Sequence, residues 1–475
     1  MEIINVDIKK NHGHLSCSPS LFKIVREKFS VLNPSYTQRR FAPRNYIITP
    51  SGAFQVGMWN DIKSYIESLG VSPKFQLTDK FNQYYTPPLN IKKIETIDGF
   101  TYYDYQEETI KEFIKHGRGI SLLPTASGKG LCIAGLCKTI LTNHPTYKIL
   151  LVVPNVLLLN QLHDSFIEEF NIDNISIWGD KKLPDWSKNI IIANSQILVS
   201  DIKKTLTKVQ HFNAIIVDEV HTIGTKKNKI NKIIQNINTN IKFGVTGTLP
   251  SDLLATWNTV GKIGPILYEK TSHQIRQQGS ISEVEIKIVN FSHKGAPSTP
   301  DPSDVRPTAK YEKEIDFIFN DTKRNNFIGD LANKIKGNVL ILTDRIFHGE
   351  LLVKTLSSSS KSVHFIQGST ESDARTEIRR VMEESDNVIC IAMSKIFSVG
   401  VSIKNLKYVI FCNIGKSNVK IMQSIGRSLR LHKNKDKAII FDLCDKLKYS
   451  MDHLRERTQL YTKEKMKFKT TNINL

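Results

Sequence analysis

The stretches ISLLPTASGKG (residues 120–130) and AIIVDEVH (residues 214–221) determine the expected fold and chemistry. The first is an apolar run followed by small residues and a lysine, which predicts a strand, a tight turn and the start of a helix. In such a turn, backbone N–H groups of residues 125–129 can hold a β-phosphate, and Lys129 can reach the β- and γ-oxygens. The alternative is an SGKG turn that arose by chance.

The second stretch predicts a buried strand that ends in two adjacent carboxylates. Such carboxylates repel each other and lose hydration on burial, so packing gives no reason for them. Mg²⁺ chemistry gives one, because Asp218 would hold the metal through water and Glu219 would orient or deprotonate an attacking water. The alternative is an exposed strand end. We therefore expect ATP and Mg²⁺ as cofactors.

Two further stretches add to this site. GVTGTLP (residues 244–250) is again a strand followed by a small-residue turn, in which Thr246 and Thr248 could link the carboxylates to the nucleic-acid side. QSIGRSLR (residues 423–430) puts Arg427 and Arg430 on one helical face, where they could stabilise γ-phosphate charge in the transition state. Surface arginines with this spacing are also common.

Short apolar runs alternate with helical stretches from about residue 101 onward. Predicted strands lie at residues 120–123, 149–153, 190–193, 214–217 and 243–245, and again at 339–342, 363–366, 388–392, 408–411 and 438–441. Continuous apolar strands separated by amphipathic helices indicate parallel sheets covered on both faces. The predicted fold class is therefore α/β with two parallel-sheet domains, and ligands should gather at the carboxyl ends of the strands.

Composition narrows the partners. The formal charge of +20 favours a polyanionic partner such as nucleic acid, although a basic protein without one is possible. No run reaches the roughly 18 apolar residues of a membrane helix, and the N-terminus lacks the apolar stretch of a secretory signal. We expect a cytoplasmic protein that is neither secreted nor membrane-bound. Its six scattered cysteines are expected to be buried thiols.

The first hundred residues indicate a small separate domain. Arg39, Arg40 and Arg44 lie among the aromatic residues Tyr36, Phe41 and Tyr46. This mixture suits contacts with a nucleic-acid backbone and base stacking, and a solvated basic face is the alternative.

Taken in order, residues 102–444 resemble helicase superfamily two in its DExH form, and most closely the UvsW-like helicases of phages. The resemblance implies two RecA-like motor domains. It assigns the ATP site to Tyr105, Gln106, Pro124, Thr125, Ala126, Ser127, Gly128, Lys129, Gly130, Gly400 and Gln423, catalysis to Lys129, Asp218, Glu219, Arg427 and Arg430, and coupling to His221, Thr246 and Thr248. It assigns DNA contacts to Pro154, Asn155, Asn194, Ser195, Arg345, Gly368 and Ser369, to which we add Arg39, Arg40 and Arg44.

Three positions depart from the family pattern, one of them in GVSI (residues 400–403), where many relatives have an aspartate and Ser402 must carry any polar role. Ala126 stands where glycine is usual, and Gly130 replaces the Ser or Thr whose hydroxyl normally binds Mg²⁺. These changes bear on the expected turnover rate more than on the function.

From the motifs and the loop KGAPSTPDPSDVRP (residues 294–307), we predict an N-terminal accessory domain at 1–95 and a first motor domain at 96–270. A connector with a flexible loop is predicted at 271–320 and a second motor domain at 321–475. The resemblance implies a monomeric ATP-dependent helicase acting on DNA forks or four-way junctions in a phage, with RNA–DNA hybrids still open as substrates. The alternatives are a duplex translocase without strand separation and a hydrolytically weak nucleic-acid-binding protein.

Overall fold

The computed structural model of the chain describes residues 2–9, 11–33, 43–224, 229–250, 252–294, 307–367, 370, 372–394, 406–413, 415, 421, 424–426 and 437–475. The chain divides into two compact units. The first consists of Met1–Leu123 and Gly128–Lys270, and the second of Thr271–Leu475 with the short segment Pro124–Ser127.

The N-terminal part of the first unit has a mixed sheet of its own, in which β1 pairs antiparallel with β2 and parallel with β6. The strand order is β5-β2-β1-β6, and a short antiparallel ribbon is formed by β3 and β4. The strands are β1 (Glu2–Lys9), β2 (His12–Ser16), β3 (Ser30–Leu32), β4 (Arg44–Tyr46), β5 (Ala53–Gln55) and β6 (Pro73–Leu77), and the helices are α1 (Pro19–Lys28), α2 (Trp59–Ser68) and α3 (Asp79–Tyr85).

The rest of the first unit is built on a seven-stranded parallel sheet with the order β13-β7-β12-β11-β8-β10-β9. Its central strands Ile149–Val153 and Ile190–Asn194 are buried along their whole length because helices cover both faces. The strands are β7 (Arg118–Leu122), β8 (Ile149–Val153), β9 (Ile175–Trp178), β10 (Ile190–Asn194), β11 (Ala214–Asp218), β12 (Ile241–Thr246) and β13 (Ile266–Glu269). The helices are α4 (Asp104–His116), α5 (Lys129–Asn143), α6 (Val156–Asp164), α7 (Ser195–Ser200), α8 (Ile202–Val209), α9 (Ile230–Asn236) and α10 (Leu253–Ile263).

The second unit has a second seven-stranded parallel sheet, with the order β16-β17-β15-β18-β19-β14-β20. Its strands are β14 (Glu283–Ser292), β15 (Val339–Thr343), β16 (Ser362–Ile366), β17 (Val388–Met393), β18 (Tyr408–Phe411), β19 (Lys437–Asp445) and β20 (Lys467–Asn474). The helices are α11 (Ser272–Gln277), α12 (Pro307–Asn320), α13 (Thr322–Lys334), α14 (Ile346–Thr355), α15 (Ser372–Glu384) and α16 (Lys448–Lys463).

The predicted fold class is confirmed, since every strand predicted in the two series is present, most with ends shifted by one or two residues. Strands β9, β13, β14 and β20 were not predicted from the sequence. The segment predicted as a connector (residues 271–320) contributes β14 to the second sheet, where it pairs in parallel with β19 and β20. As predicted, the cysteines are free thiols, and all except the half-buried Cys17 are buried.

The N-terminal sheet packs directly on the first large sheet and is not a separate body. Their buried apolar side chains form one continuous core. The rings of Phe29 and Trp257 lie 5.6 Å apart. Gly57 lies so close to α10 that a Cβ atom there would meet the carbonyl oxygen of Val260 at 2.0 Å. The N-terminal part therefore has a sheet of its own, as predicted, and shares its core with the first large sheet.

None of the described helices is long and apolar enough to cross a membrane.

Candidate nucleotide site

The predicted phosphate loop lies between β7 and α5, at the carboxyl edge of the first large sheet. Ala126 has φ +70° and Gly128 has φ +79°, so the turn passes twice through the left-handed region. At Gly128 a Cβ atom would meet the Gln106 amide nitrogen at 2.4 Å, which explains the requirement for glycine. Helix α5 then begins at Lys129 and directs the positive end of its dipole towards the loop. This geometry suits a bound phosphate.

Lys129 lies between this loop and the acidic strand end. Its Nζ atom is 3.4 Å from the Leu123 carbonyl oxygen and 3.9 Å from Glu219 Oε1. The side chain is 13 % exposed. The ammonium group is thus held at the mouth of the loop, within reach of Glu219.

Asp218 is the last residue of β11 and Glu219 follows it, as predicted, and the backbone holds the two in a fixed arrangement. The Glu219 N–H donates to Asp218 Oδ1 at 2.9 Å, and Glu219 adopts a left-handed conformation with φ +49°. Burial and the adjacent Glu219 raise the pKa of Asp218. Burial works to raise the pKa of Glu219 as well, but Lys129 and His221 outweigh it and lower that pKa. Glu219 is therefore the carboxylate that stays ionised.

The Asp218 carboxylate fits the role of a magnesium ligand. Mg²⁺ in nucleotide sites usually keeps several waters and takes one or two carboxylates together with substrate phosphates, so a single aspartate suffices. In the described ranges no group of three or more His, Cys, Asp or Glu residues could hold a metal ion.

A chain of hydrogen bonds connects Glu219 to the next strand. The Thr246 hydroxyl, at the end of β12, lies 3.1 Å from both Glu219 Oε2 and the Thr248 carbonyl oxygen and can donate to one of them at a time. His221 Nδ1 lies 2.7 Å from Thr246 Oγ1 and 3.3 Å from Glu219 Oε2. Of the predicted coupling residues, His221 and Thr246 thus contact the carboxylate, and the Thr248 carbonyl contacts Thr246.

The predicted adenine-binding pair lies beside the loop, with one difference from expectation. Gln106 is buried against Gly128, and its Oε1 atom accepts from the Tyr103 N–H at 3.0 Å. The Tyr105 ring is also buried and stacks on Tyr103 with centroids 5.7 Å apart. Tyr103 is 45 % exposed and is the aromatic face open to a ligand. The sequence signal that could have identified it is the spacing YxYQ.

The predicted nucleic-acid residues of the first unit support helix starts at the carboxyl edge. Asn155 Oδ1 accepts from the Leu158 N–H at the start of α6, and Asn194 Oδ1 accepts from the Ile197 N–H at the start of α7. The Ser195 hydroxyl donates to the Pro154 carbonyl oxygen at 2.8 Å. These side chains therefore fix the two helix starts and are engaged in hydrogen bonds within the protein.

Two predicted DNA-contact arginines are engaged within their own units. Arg44 Nε donates to Ser30 Oγ at 2.7 Å and lies 3.6 Å from the Glu27 carboxylate. Arg345 precedes α14 and forms an ion pair with Glu312. The remaining predicted residues lie outside the part of the chain that the structure describes: Arg39, Arg40, Gly368, Ser369, Gly400, Gln423, Arg427 and Arg430, together with Tyr36 and Phe41.

Comparison with known proteins gives two family matches and several relatives. Residues 99–251 match the family "Type III restriction enzyme, res subunit", and residues 323–432 match the "Helicase conserved C-terminal domain". The chain is 26% identical over 510 residues to the ATP-dependent DNA helicase uvsW of Enterobacteria phage T4, with 98% of each chain covered. These matches include the phosphate loop, the acidic strand end and the second sheet.

More distant relatives extend the comparison. The chain is 22% identical over 404 residues to the helicase/translocase subunit XPB of the general transcription and DNA repair factor IIH from Enterocytozoon bieneusi, covering 77% of this chain and 62% of that protein. The structure of S. cerevisiae Dbp5 bound to RNA and ADP BeF3 is similar with a TM-score of 0.55 at 12% identity, covering 78% of this chain and 89% of that one. That likeness concerns the fold of the two large sheets.

Proposed function

Since this chain is a superfamily two ATP-dependent helicase with a UvsW-like relationship, we propose that its substrate is DNA and that it unwinds or branch-migrates forks and four-way junctions. The proposed ATP hydrolysis is supported by the position of Glu219. Its carboxylate lies within reach of both Lys129 and the Thr246–His221 pair. One carboxylate is thus linked to the phosphate loop and to the next strand.

The proposed roles follow from these contacts. Lys129 binds the β- and γ-phosphate oxygens, and the N-terminal end of α5 adds its dipole. Asp218 would hold Mg²⁺, and the ion would supply charge neutralisation on the phosphates. Glu219, kept ionised by its basic neighbours, orients the attacking water and accepts its proton. Arg427 and Arg430 keep their predicted role of stabilising charge on the transferred phosphoryl group.

Coupling to nucleic acid begins at the Thr246 hydroxyl. Because this single proton can be donated to Glu219 or to the Thr248 carbonyl, a change in charge at Glu219 shifts the hydrogen bonding of the turn after β12. Pro154, Asn155, Asn194 and Ser195 stand at the same edge of the sheet, and the helix starts that they fix would bind backbone phosphates without regard to sequence.

The preference for branched DNA is proposed for the N-terminal part. The observation that supports this is the core that the N-terminal part shares with the first large sheet. Because of this shared core, DNA bound by the N-terminal part would be held rigidly against the motor domain. The T4 phage relative matches this chain over 98% of its length, including this part, which is consistent with a role in phage replication, recombination or repair.

The direct test measures ATP hydrolysis and strand separation with single-stranded, duplex, forked and four-way DNA and with RNA. We expect the highest stimulation by forks and four-way junctions, and separation of a forked duplex that the Lys129→Ala variant does not perform. Equal stimulation by RNA would contradict a DNA substrate.

A second candidate function is translocation along duplex DNA without strand separation, favoured by the similarity to XPB, which is described as a helicase/translocase subunit. The same assay distinguishes the two functions, because a pure translocase would hydrolyse ATP on duplex DNA and leave the fork intact.

The N-terminal contact is best tested by point substitutions, since removing residues 1–89 would expose Trp257 and the rest of the shared core. Replacing Arg39 and Arg40 by Ala should weaken junction binding and lower the salt slope by roughly one unit per lost phosphate contact. The control is Arg455→Ala on the exposed face of α16. An unchanged preference for junctions in the variant with both Arg39 and Arg40 replaced would contradict this part of the proposal.

A further inference from the structure

A small cavity in the first unit contains three buried cationic side chains and lies between the N-terminal sheet and the first large sheet. Its volume is about 30 Å³. Arg118 at the start of β7, Lys242 on β12 and Lys262 on α10 line one side, and His12 and Gln55 of the N-terminal sheet line the other. The three cationic residues are 2 %, 3 % and 7 % exposed.

Each cation has hydrogen-bond partners, but they are neutral. Arg118 donates to the carbonyl oxygens of Ile263, Lys262 and Tyr84 at 2.9, 3.2 and 3.4 Å. Lys242 Nζ donates to the Ile234 carbonyl at 2.6 Å, and Lys262 Nζ to the Asn258 carbonyl at 3.1 Å. An ammonium group carries three donors and a guanidinium five, so each side chain keeps donors beyond these bonds.

No carboxylate of the described residues lies within ion-pair distance of any of the three. Burying one cation without a counter-charge is costly, and three together also repel each other. Burial lowers the pKa of Lys242 to about 7, with a further contribution from Arg118, and burial lowers that of Lys262 to about 8. The fold can reduce this cost either by releasing protons from the lysines or by binding an anion in the cavity.

We propose that this cavity is a binding site for a small inorganic anion of phosphate size or smaller, held by Arg118, Lys242 and Lys262. The cavity exceeds the roughly 10–15 Å³ that one water needs, so an ion fits. The three cations converge from two strands and a helix, so the site does not depend on a mobile surface side chain. A nucleic-acid phosphate carries two sugars, which this volume does not accommodate, so the proposed ligand is a free anion.

The bound anion would connect the two layers that form the cavity. It would offset the charge of three side chains on the large-sheet side, and it would lie against His12 and Gln55 of the N-terminal sheet. The N-terminal sheet would then be attached to the motor by an ion as well as by the shared apolar core. This site is separate from the nucleotide site and does not depend on the proposed substrate.

The test is thermal unfolding of the full chain in two series, with increasing sodium phosphate and with increasing sodium chloride. The two series are compared at the same ionic strength. A ligand that binds only the folded state raises the midpoint as its concentration passes its dissociation constant. We expect phosphate to raise the midpoint of the wild-type chain by about 3 °C or more, and Lys242→Met to lose most of that shift.

Two controls make the result specific. Lys129→Ala removes the phosphate loop as a competing anion site and should keep the shift. Lys361→Met removes another buried lysine that donates only to carbonyls, but in the second unit, and should also keep it. If Lys242→Met fails to fold, Lys262→Gln is measured in its place.

The proposal is overturned if neither anion raises the midpoint of the Lys129→Ala chain, which would indicate that the lysines are neutral and the cavity holds water. It is also overturned if the Lys242→Met and Lys262→Gln variants keep the full shift. A short single-stranded oligonucleotide should not abolish the phosphate-dependent shift, and if it does, the ligand is a backbone phosphate and the free-anion assignment fails.

Discussion

Both large sheets end a buried strand in an aspartate, and the two aspartates have different surroundings. Asp218 ends β11 in the first unit, and Asp445 ends β19 in the second. Around Asp218, the side chains of Lys129, Glu219 and His221 are 13–16 % exposed, and the N···O distances from Lys129 and His221 to the Glu219 carboxylate are 3.9 and 3.3 Å. Asp445 is fully buried and accepts from Arg324 Nε at 2.9 Å, and its Oδ1 lies 2.8 Å from His293 Nε2.

The difference shows what one strand position can do. Loosely spaced charges that keep some exposure can exchange partners with a ligand, which suits chemistry. Short contacts at full burial hold the backbone in place and leave no room for a ligand. The same residue type at the same edge of a parallel sheet thus lies in the proposed catalytic site of one unit and in the framework of the other.

The largest expected effect is on the rate of ATP hydrolysis, in the cluster of Asp218, Glu219 and Lys129. Glu219→Gln keeps the side-chain size but removes the proton acceptor, so kcat for ATP hydrolysis should fall by roughly 10²–10⁴-fold. The melting temperature should change little, because the site is partly exposed. Glu168→Gln on the exposed surface is the matched control. A near-normal kcat for Glu219→Gln would remove Glu219 from the reaction.

Substitution in the cluster of Asp445, Arg324 and His293 should lower the stability of the protein. Arg324→Met leaves Asp445 buried with one partner fewer, which should lower the free energy of unfolding by roughly 3–5 kcal/mol in denaturant titrations. Arg380→Met removes an arginine that pairs with Glu377 and Glu384 at the surface and should cost less than about 1 kcal/mol. Equal losses in the two variants would contradict the assignment of Asp445 to the framework.

A smaller effect concerns pH and tests the same cluster. Burial lowers the pKa of His293, but hydrogen bonds and charges from Asp445 and Asp321 outweigh it and raise that pKa above its usual range. The folded state therefore binds a proton more tightly than the unfolded state, and this stabilisation is complete below about pH 6.5 and is lost as the pH rises through the folded pKa. His293→Gln should flatten the decline in stability between about pH 6 and 8. A profile that stays unchanged would mean that His293 is not charged in the folded state.

The smallest effect is expected at Gly130 of the nucleotide site. A Cβ atom there would meet only Leu162 Cδ1, at 3.8 Å, and φ is ordinary. Gly130→Thr should therefore fold, raise stability by under about 1 kcal/mol through helix propensity, keep ATP hydrolysis and lower the Mg²⁺ concentration needed for half-maximal rate. Gly130→Ala is the control without a hydroxyl, and an equal shift in both variants would exclude a metal contact.

The sequence predicted those parts in which local pattern and chemistry coincide. Apolar strands such as Ile149–Val153 and the loop before Lys129 could be predicted because burial on both faces and phosphate binding each leave a local signature. Strand β20 could not, because its residues are almost all exposed and polar, and its pairing with β14 joins segments far apart in the chain. The buried cations could not be predicted either, since Arg118, Lys242 and Lys262 meet only after folding.

The left-handed backbone of Glu219 has a consequence for how the sequence can evolve. A non-glycine residue with this φ costs about 1–2 kcal/mol, and Asn or Gly would tolerate it better. Under the role proposed for Glu219, selection for ATP hydrolysis is what opposes this cost. A lineage released from that selection should drift to Asn or Gly at position 219 among its first changes and become more stable as it becomes inactive. In such a lineage, a change at position 219 would be an early sign that the motor activity has been lost.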